Sequence, residues 1–296
     1  MTINLYFREL RVSDIPTIKE LCKDIWEGYD YVPLVIDDWL KDENSYNYGA
    51  FLDEQTKNLI GFGRVKILSS DLAWLEGGRV RINYQGKGVG KLLIDHALNF
   101  IKKKGIKVAQ YDTWSKNYAS IALANKFGFH RKTWMVILEA EKKEIMNVGP
   151  GNSDFRKINA KQALIKYKSI PNGPTTELCI GWSFVPLDLK FLNNKNWTWF
   201  ENLESIILRI KDVQFDQYEF PNNLEAWYIV HGDPKKAKDL LKNVLQIDLN
   251  NKNITDIFIF CHEKITAQVK ELGFRYLESD DSPSGVVLFE KIIDYD

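Results

Sequence analysis

Three glycines at alternate positions, Gly86, Gly88 and Gly90, separate an apolar strand-like segment from an apolar-periodic helical one in the run WLEGGRVRINYQGKGVGKLLIDHAL, Trp74 to Leu98. Few folds need that much bare backbone in one place. Where a strand turns directly into a helix, successive N–H groups point inward at the positive end of the helix dipole, which makes an anion cradle. Glycine there takes positive φ readily and lets a bulky pyrophosphate approach without meeting a Cβ. The stretch therefore predicts a strand–turn–helix unit that holds a phosphate-bearing ligand.

Two common phosphate loops do not fit. A Walker loop needs Ser or Thr after its lysine, and here Leu92 follows Lys91. A dinucleotide loop, G-x-G-x-x-G, needs its third glycine at position 91, which is that lysine.

The rest of the first half alternates elements around this unit. LYFREL reads as a strand, SDIPTIKELCKDIW as a helix with Ser13 or Asp14 at its N-cap, and YDYVPLVIDDWLKD as a Pro-broken aromatic segment leading into a short helix. Two strands follow over YNYGAFLDEQTKNLIGFGRVKILSS, then LAWLEGGRVRI, the glycine loop and its helix. Three lysines and Gly105 suit the helix's negative end. Strand KVAQYDTW, helix NYASIALANKFG and strand FHRKTWMVILEA complete an α/β layer structure with a mixed sheet.

NVGPGNS, Asn147 to Ser153, marks the expected boundary between domains 1–146 and 147–296. Beyond it, LEAWYIVHGDPKKAKDLLKNVL, ITDIFIFCHEKITAQVKELGFRYLES and GVVLFEKI repeat the first half's later order, and VKELGFRYLE parallels LANKFGFHRK. A duplicated fold is expected, with HGDPKK in the second copy where the first has QGKGVGK. Roughly Phe155 to Asn222 carries no readable pattern.

With 296 residues, 45% of them hydrophobic, the chain can bury two cores. Forty basic and 40 acidic side chains supply no global attraction to nucleic acid or anionic lipid, so neither is an expected partner. The start, MTINLYFREL, alternates polar and apolar residues and no segment approaches membrane-spanning length, which predicts a cytoplasmic protein. Cys22, Cys179 and Cys261 are odd in number and far apart, so buried free thiols are expected. Four scattered histidines predict no metal site.

QGKGVG fits the pattern Q/R-x-x-G-x-G/A. Together with Val80 before it, Asn117 opening a later helix and Lys126-Phe127-Gly128-Phe129 closing that helix, it resembles the GNAT superfamily of acetyl-CoA-dependent N-acetyltransferases over roughly Met1 to Lys142. The spacing of LEGGRV, the aromatic segment DIWEGYDYVPLVIDDWL and the degenerate second half are similar to the histidine N-acetyltransferase-like group.

The resemblance implies the GNAT fold, followed by a degenerate GNAT-like domain that closes the pocket or forms a homodimer face. It implies acetyl-CoA as cofactor. Gly78, Arg79 and Val80 would pair with the pantetheine arm, and a main-chain N–H near Arg79 or Val80 would polarise the thioester carbonyl. Gln85, Gly86, Lys87, Gly88, Val89, Gly90 and Lys91 would hold the pyrophosphate, with Asn117 and Ser120 near the pantetheine or the leaving sulfur.

Attack by an amine needs a base, because an alkylammonium holds its proton at neutral pH. Glu76, four residues before Val80 and on the same strand face, is the first candidate, and Asp112 in the next strand the second. The alternative for Glu76 is a solvated strand glutamate paired with Arg79 or Arg81. A tyrosine that usually protonates the departing thiolate is replaced by Ala124, which leaves Asn117, Ser120 or Tyr118 to donate. Trp26, Glu27, Tyr29 and Asp30 lie in the segment that would bound the acceptor pocket, suited to a cationic small amine or to plain helix packing. The expected reaction is acetyl transfer to a primary amine of a small molecule, such as the α-amino group of histidine. The alternatives are a peptide or protein N-acetyltransferase and a non-catalytic acyl-CoA-binding module.

Overall fold

The computed structural model describes residues 4–28, 30–213, 224–279 and 282–295. The chain forms two compact units, one from 1–112, 118–132 and 288–296 and the other from 113–117 and 133–287. This division by packing interleaves the chain, whereas the linear reading places one cut after residue 146.

In the first unit, β1 (Tyr6–Glu9), β2 (Ser45–Phe51), β3 (Leu59–Ile67) and β4 (Leu72–Val80) pair antiparallel in that order. β5 (Val108–Trp114) then adds parallel to β4. Residues 288–292 of the strand Gly285–Ile292 belong to this unit, and just after them Ile293 donates to the Lys107 carbonyl at 2.8 Å. Parallel neighbours need a crossover, and α3 (Val89–Lys103) supplies it. Its buried residues Val89, Leu93, Ala97 and Ile101 recur every fourth position as one stripe on the sheet. A separate core forms where α1 (Ile15–Cys22) and α2 (Val32–Trp39) bury Ile18, Leu21, Val32, Ile36 and Trp39 around Phe51 and Phe62. α4 (Tyr118–Lys126) completes the unit.

The second unit repeats this arrangement. Strands Ser205–Val213 and Leu224–Gly232 are antiparallel, and helix Pro234–Leu249 crosses over to the parallel strand Ile254–Cys261. Helix Glu263–Lys270 follows in the place that α4 takes in the first copy. The strand, helix, strand, helix order expected of a second copy is thus present. Of the unreadable stretch, residues 214–222 lie outside the described residues, and the described part, 155–213, resolves into defined elements. They include strand Arg156–Ile158, helix Ala160–Tyr167 capped by Asn159, and the hairpin Glu177–Cys179/Phe184–Pro186. The boundary stretch is no loose linker: Asn152 and Ser153 donate backbone N–H groups to Asp239, and Gly151 to Asn243.

All three cysteines are buried, and none is in a disulfide. Among the described residues no helix is long and apolar enough to cross a membrane.

Candidate active site

The site is built on an irregularity in β4. Phe62 faces Arg79 and Arg64 faces Glu76, so two residues, Gly77 and Gly78, oppose the single Gly63. This is a β-bulge, and Gly77 takes φ +67 to make it. A Cβ on Gly77 would lie 2.5 Å from the Trp39 ring, so α2 packs against the bulge only because the residue is glycine. Parallel pairing of β4 with β5 runs from Leu72/Val108 to Trp74/Gln110 and stops two residues before the bulge. Past that point the two strands part.

The parting leaves β4 with a free edge. Arg81 donates to the Ile60 carbonyl at 2.8 Å. Antiparallel hydrogen bonds alternate, so Arg79 also faces β3, while the N–H and C=O of Val80 point off the sheet edge. The Val80 carbonyl accepts from the Gln85 side-chain amide at 3.1 Å, which ties the glycine loop to the end of the strand.

In the loop the three glycines are not equivalent. Gly86 (φ +72) and Gly88 (φ +87) adopt left-handed backbone, and a Cβ on either would meet only open space. Gly90 has ordinary helical backbone, and its Cβ position lies 3.3 Å from Leu123 of α4, so its small size serves packing. Gly88 is the N-cap of α3 and offers no side-chain acceptor. The Leu92 N–H is the one that reaches back to the Gly88 carbonyl, at 3.2 Å, which leaves the N–H groups of Val89, Gly90 and Lys91 directed out of the helix end. Lys87 and Lys91 are exposed beside them, Lys87 with its ammonium 5.3 Å from the Tyr84 ring.

The second copy shows what such an end looks like when closed. Helix Pro234–Leu249 begins with Asp233, whose carboxylate accepts from Lys235 and Lys236 N–H groups at 3.0 Å each. A side-chain anion caps that helix end, whereas Gly88 supplies none at the start of α3.

Gly88→Ala puts a Cβ on left-handed backbone at a cost of about 1–2 kcal/mol. A loop that relaxes to escape that strain loses the ligand-ready geometry, so CoA is expected to bind roughly tenfold more weakly. Titration calorimetry of both proteins checks this.

Glu76 is half-buried on β4 just before the bulge. Its partner is neither Arg79 nor Arg81 but Arg64 of β3, whose Nη1 donates to the Glu76 carboxylate at 2.7 Å. The other Arg64 nitrogen, Nη2, donates to Asp42. Burial raises the Glu76 pKa above the ordinary carboxylate range, opposed by Arg64 and Lys66 and aided by Asp42. That direction suits a group that must accept a proton near neutral pH.

Asp30, read from sequence as an acidic group for a cationic amine, is already taken. It accepts two bonds from buried Arg79, both 2.8 Å, and a third from the Val32 N–H at 3.1 Å. The Arg79 guanidinium is flanked by Trp26 at 4.4 Å and Tyr31 at 5.3 Å. The pair pins the acceptor segment to β4. Trp26 is exposed, with its ring over the Arg79 guanidinium. Tyr29 and the side chain of Glu27 lie outside the described residues.

Tyr31 was not singled out from sequence as a chemical group. It is 39% exposed, yet its pKa is pushed up to about 12, first by burial of the phenol and then by Glu76, Asp112 and Asp30, with Arg79 opposing. One tyrosine therefore feels a carboxylate from each of the two strands that part, β4 and β5. Tyr118, the sequence candidate for proton donor, is 75% exposed at the first turn of α4. The Ser120 carbonyl accepts from the Tyr111 hydroxyl at 3.0 Å. Asn117 falls in the second unit, where its N–H donates to Trp114 at 2.9 Å. Ala124 is fully buried in the packing of α4.

Residues 12–129 match the acetyltransferase (GNAT) family. Among solved structures, the GCN5-related N-acetyltransferase of Sphaerobacter thermophilus is 11% identical and superposes with a TM-score of 0.62 over 98% of this chain and 96% of its own. The GCN5-related N-acetyltransferase of Kribbella flavida, also 11% identical, covers 99% of this chain and 72% of its own with a TM-score of 0.56. These likenesses establish the fold along both copies. No curated protein matches the chain.

Proposed function

We propose that this chain, whose residues 12–129 match the acetyltransferase (GNAT) family, acetylates the primary amine of a small molecule with acetyl-CoA, such as the α-amino group of an amino acid like histidine. One observation carries the reading: the bulged β4 edge runs straight into a helix end with glycine-cleared, uncapped N–H groups. A pantetheine arm needs the first and a pyrophosphate the second.

Acetyl-CoA bound there supplies the acetyl thioester. The Val80 N–H, off the sheet edge, donates to the carbonyl oxygen as negative charge grows on it. N–H groups from Gln85 through Lys91 hold the pyrophosphate, and Lys87 and Lys91 add charge that salt would screen. Gly78 and Arg79 contribute backbone to the same edge, and Ser120 serves the pantetheine end. Glu76 takes a proton from the acceptor ammonium, directly or through one water, and Asp112 stands second to it. The freed amine would form the C–N bond as the C–S bond breaks, and the second proton that the nitrogen sheds on becoming an amide would pass to the departing thiolate, directly or through water. Trp26 and Tyr31, not Asp30, offer aromatic faces to a cationic acceptor. A thiolate leaves with less help than an alkoxide needs, since a thiol's ordinary pKa is about 8.5, so Ala124 at the usual donor position is compatible with turnover.

The test is thiol release from acetyl-CoA against free amino acids, polyamines and short peptides, with CoA affinity measured alongside. Turnover concentrated on one free amino acid is the expected result. A preference for peptides selects a peptide acetyltransferase, and tight CoA binding without turnover on any amine selects a binding module.

A further inference from the structure

We propose that Arg64 and Asp42 are positioning residues that hold the Glu76 carboxylate in its working direction and divide the Arg64 charge between two carboxylates. The proposal rests on reading Glu76 as the base.

Arg64 lies directly across from Glu76 in the β3/β4 register, and its side chain is only 5% exposed. Its guanidinium lies 4.9 Å from the centre of the Trp39 ring, the same ring that fills the space over Gly77. The ring and the bulge thus fix the fork from one side. One Nη group goes to Glu76 and the other to Asp42, while the Nε–H is buried with no hydrogen-bond partner among the described residues. A buried donor left unpaired costs stability, about 1–3 kcal/mol in general. Holding two carboxylates in fixed places is a reason for a protein to tolerate that cost.

Asp42 is itself held by design of the turn between α2 and β2. Its carboxylate also accepts from the Asn44 N–H at 3.1 Å, and its carbonyl accepts from the Ser45 hydroxyl at 2.8 Å. A surface aspartate that met Arg64 by chance would not be tied down in this way.

The arrangement solves a problem of charge. An arginine alone against Glu76 would keep the carboxylate ionised so firmly that it took up a proton poorly. Asp42 offsets part of that cation, which leaves Glu76 oriented but still able to accept. The other groups facing Glu76 are Lys66 on β3 and Tyr31 ahead of α2, with Asp112 of β5 facing Tyr31. None of them bridges to Glu76 through Arg64.

Two substitutions should therefore act in opposite directions. Asp42→Asn gives Glu76 the undivided charge of Arg64 and is expected to move the acid limb of kcat/KM to lower pH. Arg64→Met removes the cation and should move the limb to higher pH, by about one unit or more for a charge at this separation. Arg64→Lys keeps the charge but not the fork, so it should leave the limb near the wild-type position while kcat falls. Carboxyl-carbon NMR, with the Glu76 signal assigned by its loss in Glu76→Gln, follows the same titration without turnover. Opposite shifts in the NMR titration and the rate profile together are the expected result. An unmoved Glu76 titration in both Asp42→Asn and Arg64→Met overturns the proposal. NMR shifts that the rate limb does not follow would instead show that Glu76 is not the base, which is failure of the underlying reading.

Discussion

Glu76→Gln is expected to lower kcat about 10²- to 10⁴-fold, the range for loss of a positioned general base. CoA affinity should stay near the wild-type value. Glutamine keeps the size of the side chain and an oxygen for Arg64 but gives up the ability to take the amine proton. The glycine loop lies beyond Val80 and is tied to the strand by Gln85. Stopped-flow thiol release on both proteins, with calorimetric CoA titration beside it, separates the two effects. A fall in kcat below tenfold would move the proton to Asp112 or to solvent. An equal fall in CoA affinity would mean that the loop had been disturbed and the kinetic loss was indirect. The base acts in its ionised form, and burial holds its pKa above the ordinary carboxylate value, so wild-type activity should rise with pH through a limb above that value.

Asp30→Ala should cost about 3–5 kcal/mol of stability, because removing one partner of a buried ion pair leaves the other charged and unsolvated. Arg79 would lose both 2.8 Å bonds and keep only its contact with the Gly78 carbonyl and the flanking rings. The Val32 N–H at the start of α2 would lose its acceptor as well. Chemical denaturation of the variant against wild type measures the loss. Arg79→Lys should not be a mild substitute, since an ammonium cannot make the paired bonds or lie flat between Trp26 and Tyr31. A loss under 1 kcal/mol in Asp30→Ala would mean that water reaches the pair and that the segment from Trp26 to Tyr31 is held by other contacts.

Some of the site could be read directly and some could not. The glycine loop was legible because positive φ and an uncapped helix end are local demands, met by residues within one turn of one another. Even so, Gly90 looked like its neighbours while its reason, the approach of Leu123, lies on another helix. The bulge was spelled out as Gly77-Gly78, yet a glycine pair inside an apolar strand does not say which residue bends or what fills the space. Trp39, nearly forty positions earlier, decides that. The acidic residues near the acceptor segment were visible as types. That Asp30 is consumed by Arg79, and that Glu76 answers to Arg64, depended on strands and loops being brought side by side.

By itself, the amino-acid order determined the α/β alternation, the repeated element order, and the glycine-rich strand-to-helix loop with its absence from the second copy. Each of these is set by short-range periodicity, capping or backbone freedom, and such terms act between residues a few positions apart. Only the tertiary structure decided where the strands part, which carboxylates are free, and that residues 288–296 return to pack with the first unit. These depend on cross-strand register and on which charges meet when water is excluded, and a pairing over 49 residues leaves no local trace in the chain.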